Sequence, residues 1–144
     1  MGKYDPWGDL SQRTYLSVEF VDLPNQRRGI ICGDVIRIDR HQLQVERRCT
    51  IAHELVHDER QVFPADAVMR AKEEALVERT AARRLIELPD LVDALRACSS
   101  RYAEELADHL WVDPPMLAAR MADLDPIEVA ELEHHLEDQW LWIP

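Results

Sequence analysis

The chain has 144 residues, of which 47% are hydrophobic and 31% are charged; this composition excludes a disordered or fibrous protein and predicts one globular domain over residues 1–144. The three cysteines form no CxxC pair, and the chain shows neither a leader-like start nor a run of about 18 apolar residues, so we expect a cytoplasmic protein without a membrane segment. The net charge of -11 is concentrated in residues 99–144, which hold two Lys/Arg against eleven Asp/Glu. An acidic segment of this kind lacks the basic surface of nucleic-acid-binding proteins, so we expect no nucleic-acid partner.

Three short β-branched runs predict a small antiparallel sheet over about residues 16–40. They read YLSVEFVDL, RRGIICG and DVIRIDR, and they are separated by the turn-forming residues PNQ and Gly33-Asp34. From Glu46 the apolar spacing becomes helical and predicts a helix over about 46–61. Further helices are predicted over about 70–87, 90–98, 101–110, 115–122 and 126–140. The fold class is therefore α+β, with the sheet and two helices in about residues 16–89 and a helical extension in about 90–144.

The helix predicted over about 46–61 contains the segment AHELVH, in which a glutamate lies between two histidines. His53 and His57 are four residues apart, so both imidazoles project from one face and can occupy two corners of a zinc tetrahedron. Glu54 follows the first histidine and is placed to act on water beside the metal without being a ligand. This HExxH pattern predicts metal-assisted hydrolysis with Glu54 as the general base.

A catalytic zinc normally needs a third protein ligand, which the helix itself does not supply. Arg60 and Phe63 occupy the positions where a metzincin would have its Gly and third His. The following segment, EEALVERTAARRLIELP, offers three carboxylates, and His109 is a further candidate. From the residues alone the third ligand stays open among Glu73, Glu74 and Glu78.

Three segments together resemble the ImmA/IrrE-type metallopeptidases of phages, mobile elements and stress-response systems. They are LPNQRRGII, DVIRIDR and RRCTIAHELVH, and the likeness extends over about residues 20–110. The family's second motif, Glu-Ala-Asn-x-Phe-Ala-Ala with a later Pro, sets Glu78 on its Glu and Pro89 on its Pro. Three residues depart from this motif: Thr80 replaces its Asn, Ala82 replaces its Phe, and Arg83 stands where a small residue is usual.

This resemblance implies a zincin-like fold in which the small sheet flanks an active-site helix pair. It implies zinc held by His53, His57 and Glu78, with Glu54 as the catalytic base. It also implies a zinc-dependent endopeptidase whose protein substrate is a regulator such as a phage or mobile-element repressor.

The last third of the chain suggests a competing function. AEELADHLWVDPPMLAARMADL, residues 103–124, is similar to a helix-turn-helix, although Arg120 is the only cation in its second helix. The alternative is therefore a non-enzymatic regulatory or protein-interaction domain with structural zinc or none. The tail around Trp140 and Trp142 is apolar, and we expect it to fold back onto the core rather than to form a partner patch.

Overall fold

The computed structural model describes residues 3–98 and 102–136. It shows the α+β class that the sequence predicts, with seven helices and three strands in the described part of the chain. The strands are β1 (Ser17–Val21), β2 (Gly29–Cys32) and β3 (Val35–Asp39). The helices are α1 (Pro6–Gln12), α2 (Gln44–Arg60), α3 (Ala67–Leu85), α4 (Leu88–Ala97), α5 (Ala103–Leu110), α6 (Pro114–Ala122) and α7 (Pro126–Leu136).

The sheet is mixed, so the prediction of an antiparallel sheet was wrong for one of its two pairings. The strand order is β1-β3-β2; β2 pairs antiparallel with β3, whereas β1 pairs parallel with β3. Gly33, with a φ of 61°, makes the tight β2–β3 turn that glycine accommodates without strain. β3 takes the centre because Ile36 and Ile38 are its fully buried residues, and a central strand is covered best. The chain must then pass from β1 across to the far side of β3.

Helix α2 packs on this sheet and forms the first core of the chain. Ile51 and Leu55 of α2 meet Ile36 and Ile38 of β3, and all four are completely buried. Partly buried apolar side chains surround this cluster: Leu10, Leu16, Val18 and Ile31. The packing holds one face of α2 against the sheet, and the apolar residues Cys49, Ala52 and Val56 on another face of the helix are buried as well.

Helix α1 was not predicted, because seven residues are too few to show a helical period. Its start has a recognisable local signal, since Asp5 accepts a hydrogen bond from the Trp7 amide and Pro6 opens the helix. Arg13, just after α1, donates to the Leu55 carbonyl at 3.0 Å and to Asp58 at 2.9 Å. This arginine ties α1 to α2.

The chain divides into two compact units, Met1–Ala81 and Ala82–Pro144, with the boundary inside α3. In the second unit α4 packs with α5 and α7, and α5 packs with α6. Among the described residues, none of the helices has the length and apolar character that crossing a bilayer requires. The prediction for the Trp140 and Trp142 tail concerns residues outside the described ranges.

Candidate metal centre

Helix α2 presents His53, Glu54 and His57 beside one another. The helix begins with the Glu46 carboxylate accepting a hydrogen bond from the Leu43 amide at 2.8 Å, which satisfies one free donor of the first turn. Because Ile51 and Leu55 point into the core, the histidine pair lies on a different face of the helix. The two imidazole rings have centroids 4.9 Å apart. The i, i+4 spacing therefore brings the rings as close together as the sequence predicts.

Helix α3 supplies the carboxylate that meets both rings, and this carboxylate belongs to Glu74. His53 Nε2 lies 2.9 Å from Glu74 Oε2, and His57 Nε2 lies 2.9 Å from Glu74 Oε1. One glutamate thus contacts the same nitrogen of each imidazole. Such a convergence of two Nε2 atoms and a carboxylate is what a metal ion would need to bind all three residues.

An ion pair of the neighbouring glutamate ties α3 to the end of α2. Arg60, the last residue of α2, binds Glu73 through two contacts, Nε to Oε2 at 2.5 Å and Nη2 to Oε1 at 2.9 Å. A bidentate pair of this kind restricts rotation as well as distance. With Glu73 held at Arg60, the adjacent Glu74 faces the imidazoles.

The predicted ligand Glu78 lies near the site but not in this donor group. His53, His57 and Glu74 each offer one ligand atom, and these atoms lie within 4.8 Å of one another. Glu78 Oε1 instead lies 3.5 Å from Nδ1 of His53, the nitrogen on the other side of the ring from Glu74. Of the carboxylates that the sequence left open, Glu74 is the one that the structure brings together with both histidines.

The charged side chains of the site shift one another's pKa values. Burial alone would lower the pKa of His53, but the carboxylates of Glu74, Glu78 and Glu54 outweigh it and raise the pKa to about 10. Hydrogen bonds from His53 and His57 hold the pKa of Glu74 well below its usual range. The site is therefore built to keep an anionic carboxylate beside positive charge.

Glu54 is buried between α2 and the sheet. Only 4% of the residue is exposed, and burial raises the pKa of its carboxyl group. A Cβ atom on Gly29 of β2 would lie 3.2 Å from Glu54 Oε1 and 2.6 Å from Thr50 Cγ2, so only glycine lets this strand approach the helix so closely. A buried carboxyl group with a raised pKa beside two histidines suits a proton-transfer role.

Phe63 also belongs to the site, although in the sequence it stands out only as a departure from the metzincin motif. Its ring stacks near the His57 ring, with centroids 6.0 Å apart and planes 23° apart, while 57% of the residue is exposed. His57 itself is buried. The spacing of six residues after His57, just beyond the end of α2, is the only signal in the sequence that could have indicated this contact.

The other histidines of the described part of the chain do not join the group. His109, the reserve ligand, lies exposed on α5, and His41 is 2.7 Å from Asp22 at an exposed position. Within residues 3–98 and 102–136, the group of His53, His57 and Glu74 is the one set of three side chains that could hold a metal ion.

The donor set fits zinc in type and in approximate size. Two imidazole nitrogens and one carboxylate oxygen are a ligand set found in catalytic zinc sites, and ligands of a tetrahedral zinc lie about 3.3 Å apart. The present 2.9 Å contacts would have to widen slightly. The Glu74 side chain is 54% exposed and has room to make this shift.

No protein-family model, curated protein or solved structure matches the chain. The resemblance to ImmA/IrrE-type peptidases therefore stays a prediction from the residues.

Proposed function

We propose that the protein is a zinc-dependent endopeptidase. The observation that carries the proposal is the convergence of His53 Nε2 and His57 Nε2 on the Glu74 carboxylate, with Glu54 buried beside them. His53, His57 and Glu74 would hold the metal, in place of the predicted set with Glu78. The small sheet, α2 and α3 would then form a zincin-like catalytic unit.

Zinc, when bound by these residues, supplies a Lewis acid that polarises a carbonyl group and favours deprotonation of water. Glu54 accepts the proton from the attacking water and delivers it to the amine that leaves when the peptide bond breaks. Its burial supports this role, because a raised pKa brings a carboxyl group closer to neutral pH and so makes it a better base and acid. The protein's contribution is to hold this carboxylate beside the reacting carbonyl.

Strand β2 supports a peptide as the substrate. It is an edge strand of the sheet, and Gly29 at its beginning lies against Glu54. An extended peptide can add to an exposed sheet edge through main-chain hydrogen bonds. A peptide lying along β2 would pass close to the catalytic carboxylate.

The substrate we propose is a DNA-binding repressor of a phage or mobile element. The family resemblance motivates this choice, and the exposed acids of α5, Glu104, Glu105 and Asp108, would attract the basic reading face of such a protein. Cys32, Cys49 and Cys98 are thiols rather than disulfides, which suits a reducing compartment, so we propose that cleavage occurs in the cytoplasm.

The alternative of a DNA-reading regulator receives less support. Arg120, the single cation of the second helix-turn-helix-like helix, is 2% exposed and bonds to Glu128 at 2.5 Å. A guanidinium that is engaged inside the fold is not available to a base edge or a phosphate. We therefore favour the enzyme over the regulator.

The proposal is tested with purified protein, zinc analysis and a proteome-derived peptide library analysed by mass spectrometry. We expect about one zinc per chain and cleavage that stops when a chelator removes the metal. Glu54→Gln should retain the zinc and lower cleavage at least about a hundredfold, because the general base is lost.

The matched control is Glu19→Gln, the same chemical change at a residue that is about half exposed on β1. It should cleave like the wild type. Equal cleavage by Glu54→Gln, or cleavage that persists after the metal is removed, would contradict the proposed mechanism.

A further inference from the structure

The two edges of the His53 ring face different carboxylates. Nε2 lies 2.9 Å from Glu74, whereas Nδ1 lies 3.5 Å from Glu78 Oε1. The two ring nitrogens are therefore not equivalent: one belongs to the donor group shared with His57, and the other faces away from it. A group at Nδ1 can act on the metal only through the ring.

Glu78 Oε1 is a buried oxygen that lacks a hydrogen-bond partner among the described residues. A buried carboxylate oxygen without a donor costs free energy, so such an atom calls for a physical explanation. His53 Nδ1 is the ionisable group in contact with this oxygen, and 3.5 Å is slightly longer than a hydrogen bond. A small movement of the Glu78 side chain would close it.

A metal bound at Nε2 would leave Nδ1 as the nitrogen that donates to Glu78 Oε1. An imidazole that binds a metal through Nε2 is neutral and carries its proton on Nδ1. In His53 that proton would point toward Glu78 Oε1. Metal-binding histidines in proteins commonly donate this second N–H to a carboxylate, which sets the tautomer and the ring orientation.

We propose that Glu78 is a positioning residue for the metal site: its carboxylate accepts a hydrogen bond from His53 Nδ1 and holds His53 with Nε2 directed at the metal. The inference rests on the proposed function, since it assumes that the site holds zinc. It assigns the two glutamates of α3 different roles, with Glu74 as the ligand and Glu78 as the partner of a ligand.

His57 shows that this arrangement is specific to one histidine. His57 Nδ1 is buried and has no hydrogen-bond partner among the described residues, and its ring lies against Phe63. Packing therefore orients His57, while a carboxylate orients His53. Changes at Glu78 should act through His53 alone.

The test measures zinc affinity and the absorption spectrum of the cobalt-loaded protein for the full-length wild type, Glu78→Ala, Glu78→Gln and Glu74→Ala. Glu78→Ala should weaken zinc binding about 10- to 100-fold, the usual effect of losing a partner of a metal-binding histidine. Glu78→Gln keeps an oxygen acceptor without the charge, so its affinity should fall between those of the alanine variant and the wild type. Glu74→Ala should weaken binding the most.

The cobalt spectrum distinguishes a positioning residue from a ligand, because it reports the number and geometry of the ligands. Both Glu78 variants should keep the wild-type spectrum, whereas Glu74→Ala should change it. Glu19→Gln is the control and should match the wild type in both measurements. Thermal unfolding of each variant checks that it is folded, and the milder Glu78→Gln serves if the alanine variant is not.

Three results would overturn the inference. Zinc affinity of folded Glu78 variants within about twofold of the wild type would remove the positioning role. A spectrum altered by Glu78→Ala in the way that Glu74→Ala alters it would make Glu78 a ligand. A wild type that binds no zinc would overturn the proposed function and this inference together. Zinc binding without any peptide cleavage would count against the endopeptidase alone.

Discussion

At the scale of single residues, Gly29 determines how close the sheet comes to the Glu54 carboxylate. Its backbone does not have a positive φ, so conformation alone does not demand glycine at this position. The demand comes from space, because a Cβ would lie 2.6 Å from Thr50 Cγ2. Thr50 is 6% exposed and β-branched, and its hydroxyl donates to Gln42 at 2.7 Å, so its methyl group cannot easily turn away.

Gly29→Ala should therefore overpack the contact between β2 and α2. We expect the free energy of unfolding to fall by about 1–3 kcal/mol, the usual cost of an added carbon in a tight contact. Peptide cleavage should also fall, since the contact includes Glu54. Chemical denaturation and the cleavage rate are the measurements.

The double variant Gly29→Ala/Thr50→Ser tests whether contact with the Thr50 methyl group causes this loss of stability. Serine keeps the hydroxyl bonded to Gln42 but removes the methyl group that the new Cβ would meet. It should recover part of the lost stability, as expected for residues in direct contact. Strictly additive effects of the two substitutions would show that the strain arises elsewhere.

At the scale of helices, α6 and α7 are joined by a buried ion pair. Arg120 donates to Glu128 at 2.5 Å and to the Ile86 carbonyl at 2.7 Å, and Arg83 donates to the other Glu128 oxygen at 2.9 Å. Burial by itself would raise the pKa of Glu128, but these hydrogen bonds outweigh it and lower the pKa to about 2. Glu128 thus lets α6 bury a guanidinium inside the second unit.

Glu128→Gln should lower the free energy of unfolding at neutral pH by about 3–5 kcal/mol, because it leaves the buried Arg120 without its anionic partner. The difference from the wild type should depend on pH. A lowered pKa stabilises the folded state above the ordinary value of 4.5, and this contribution is lost as the pH falls toward about 2. Denaturation of both proteins across that range measures the change.

The control for this pair is Glu133→Gln on the exposed side of α7. It should change the free energy of unfolding by less than about 0.5 kcal/mol, as surface substitutions usually do. A difference between Glu128→Gln and the wild type that stays constant from neutral to acid pH would contradict the assignment.

At the scale of the whole molecule, the charge is divided unevenly along the chain. Residues 1–62 hold nine Lys/Arg against ten Asp/Glu and are nearly balanced, whereas residues 99–144 hold two against eleven. Both Arg83 and Arg120 are engaged by acids of the second unit. The exposed acids of this part of the described chain lie on α5 and on α7 or just before it, and a basic protein is the partner they would attract.

Association with a purified basic repressor should consequently slow as the salt concentration rises. We expect the association rate to fall at least about tenfold between about 50 and 500 mM salt, since screening removes electrostatic steering. The triple variant Glu104→Gln/Glu105→Gln/Asp108→Asn should associate more slowly than the wild type at low salt and equally fast at high salt. Stopped-flow or surface-binding kinetics measures both effects, and a salt-independent rate would contradict the proposed attraction.

The sequence by itself determined the features that arise within one segment. Helix α2, predicted over about 46–61 and observed over Gln44–Arg60, follows from the helical spacing of apolar residues, and the side-by-side placement of His53 and His57 follows from helix geometry. The burial of Glu54 was not among these predictions, because it depends on how closely β2 approaches. Local periodicity is a property of the chain alone, which is why it can be read without a structure.

Only the tertiary structure decided the features that depend on distant segments meeting. The sheet is mixed because β3, the most buried strand, lies between β1 and β2, and no local pattern specifies which strands become neighbours. Glu74 rather than Glu78 meets both Nε2 atoms, although the two lie one turn apart on the same helix, because this depends on how α3 packs beside α2, where Arg60 pairs with Glu73. Arg120 is the only cation of the helix-turn-helix-like segment's second helix, and the structure shows it buried beside Glu128. Its burial could not be predicted locally, because the environment of a charged side chain is made by residues from other elements.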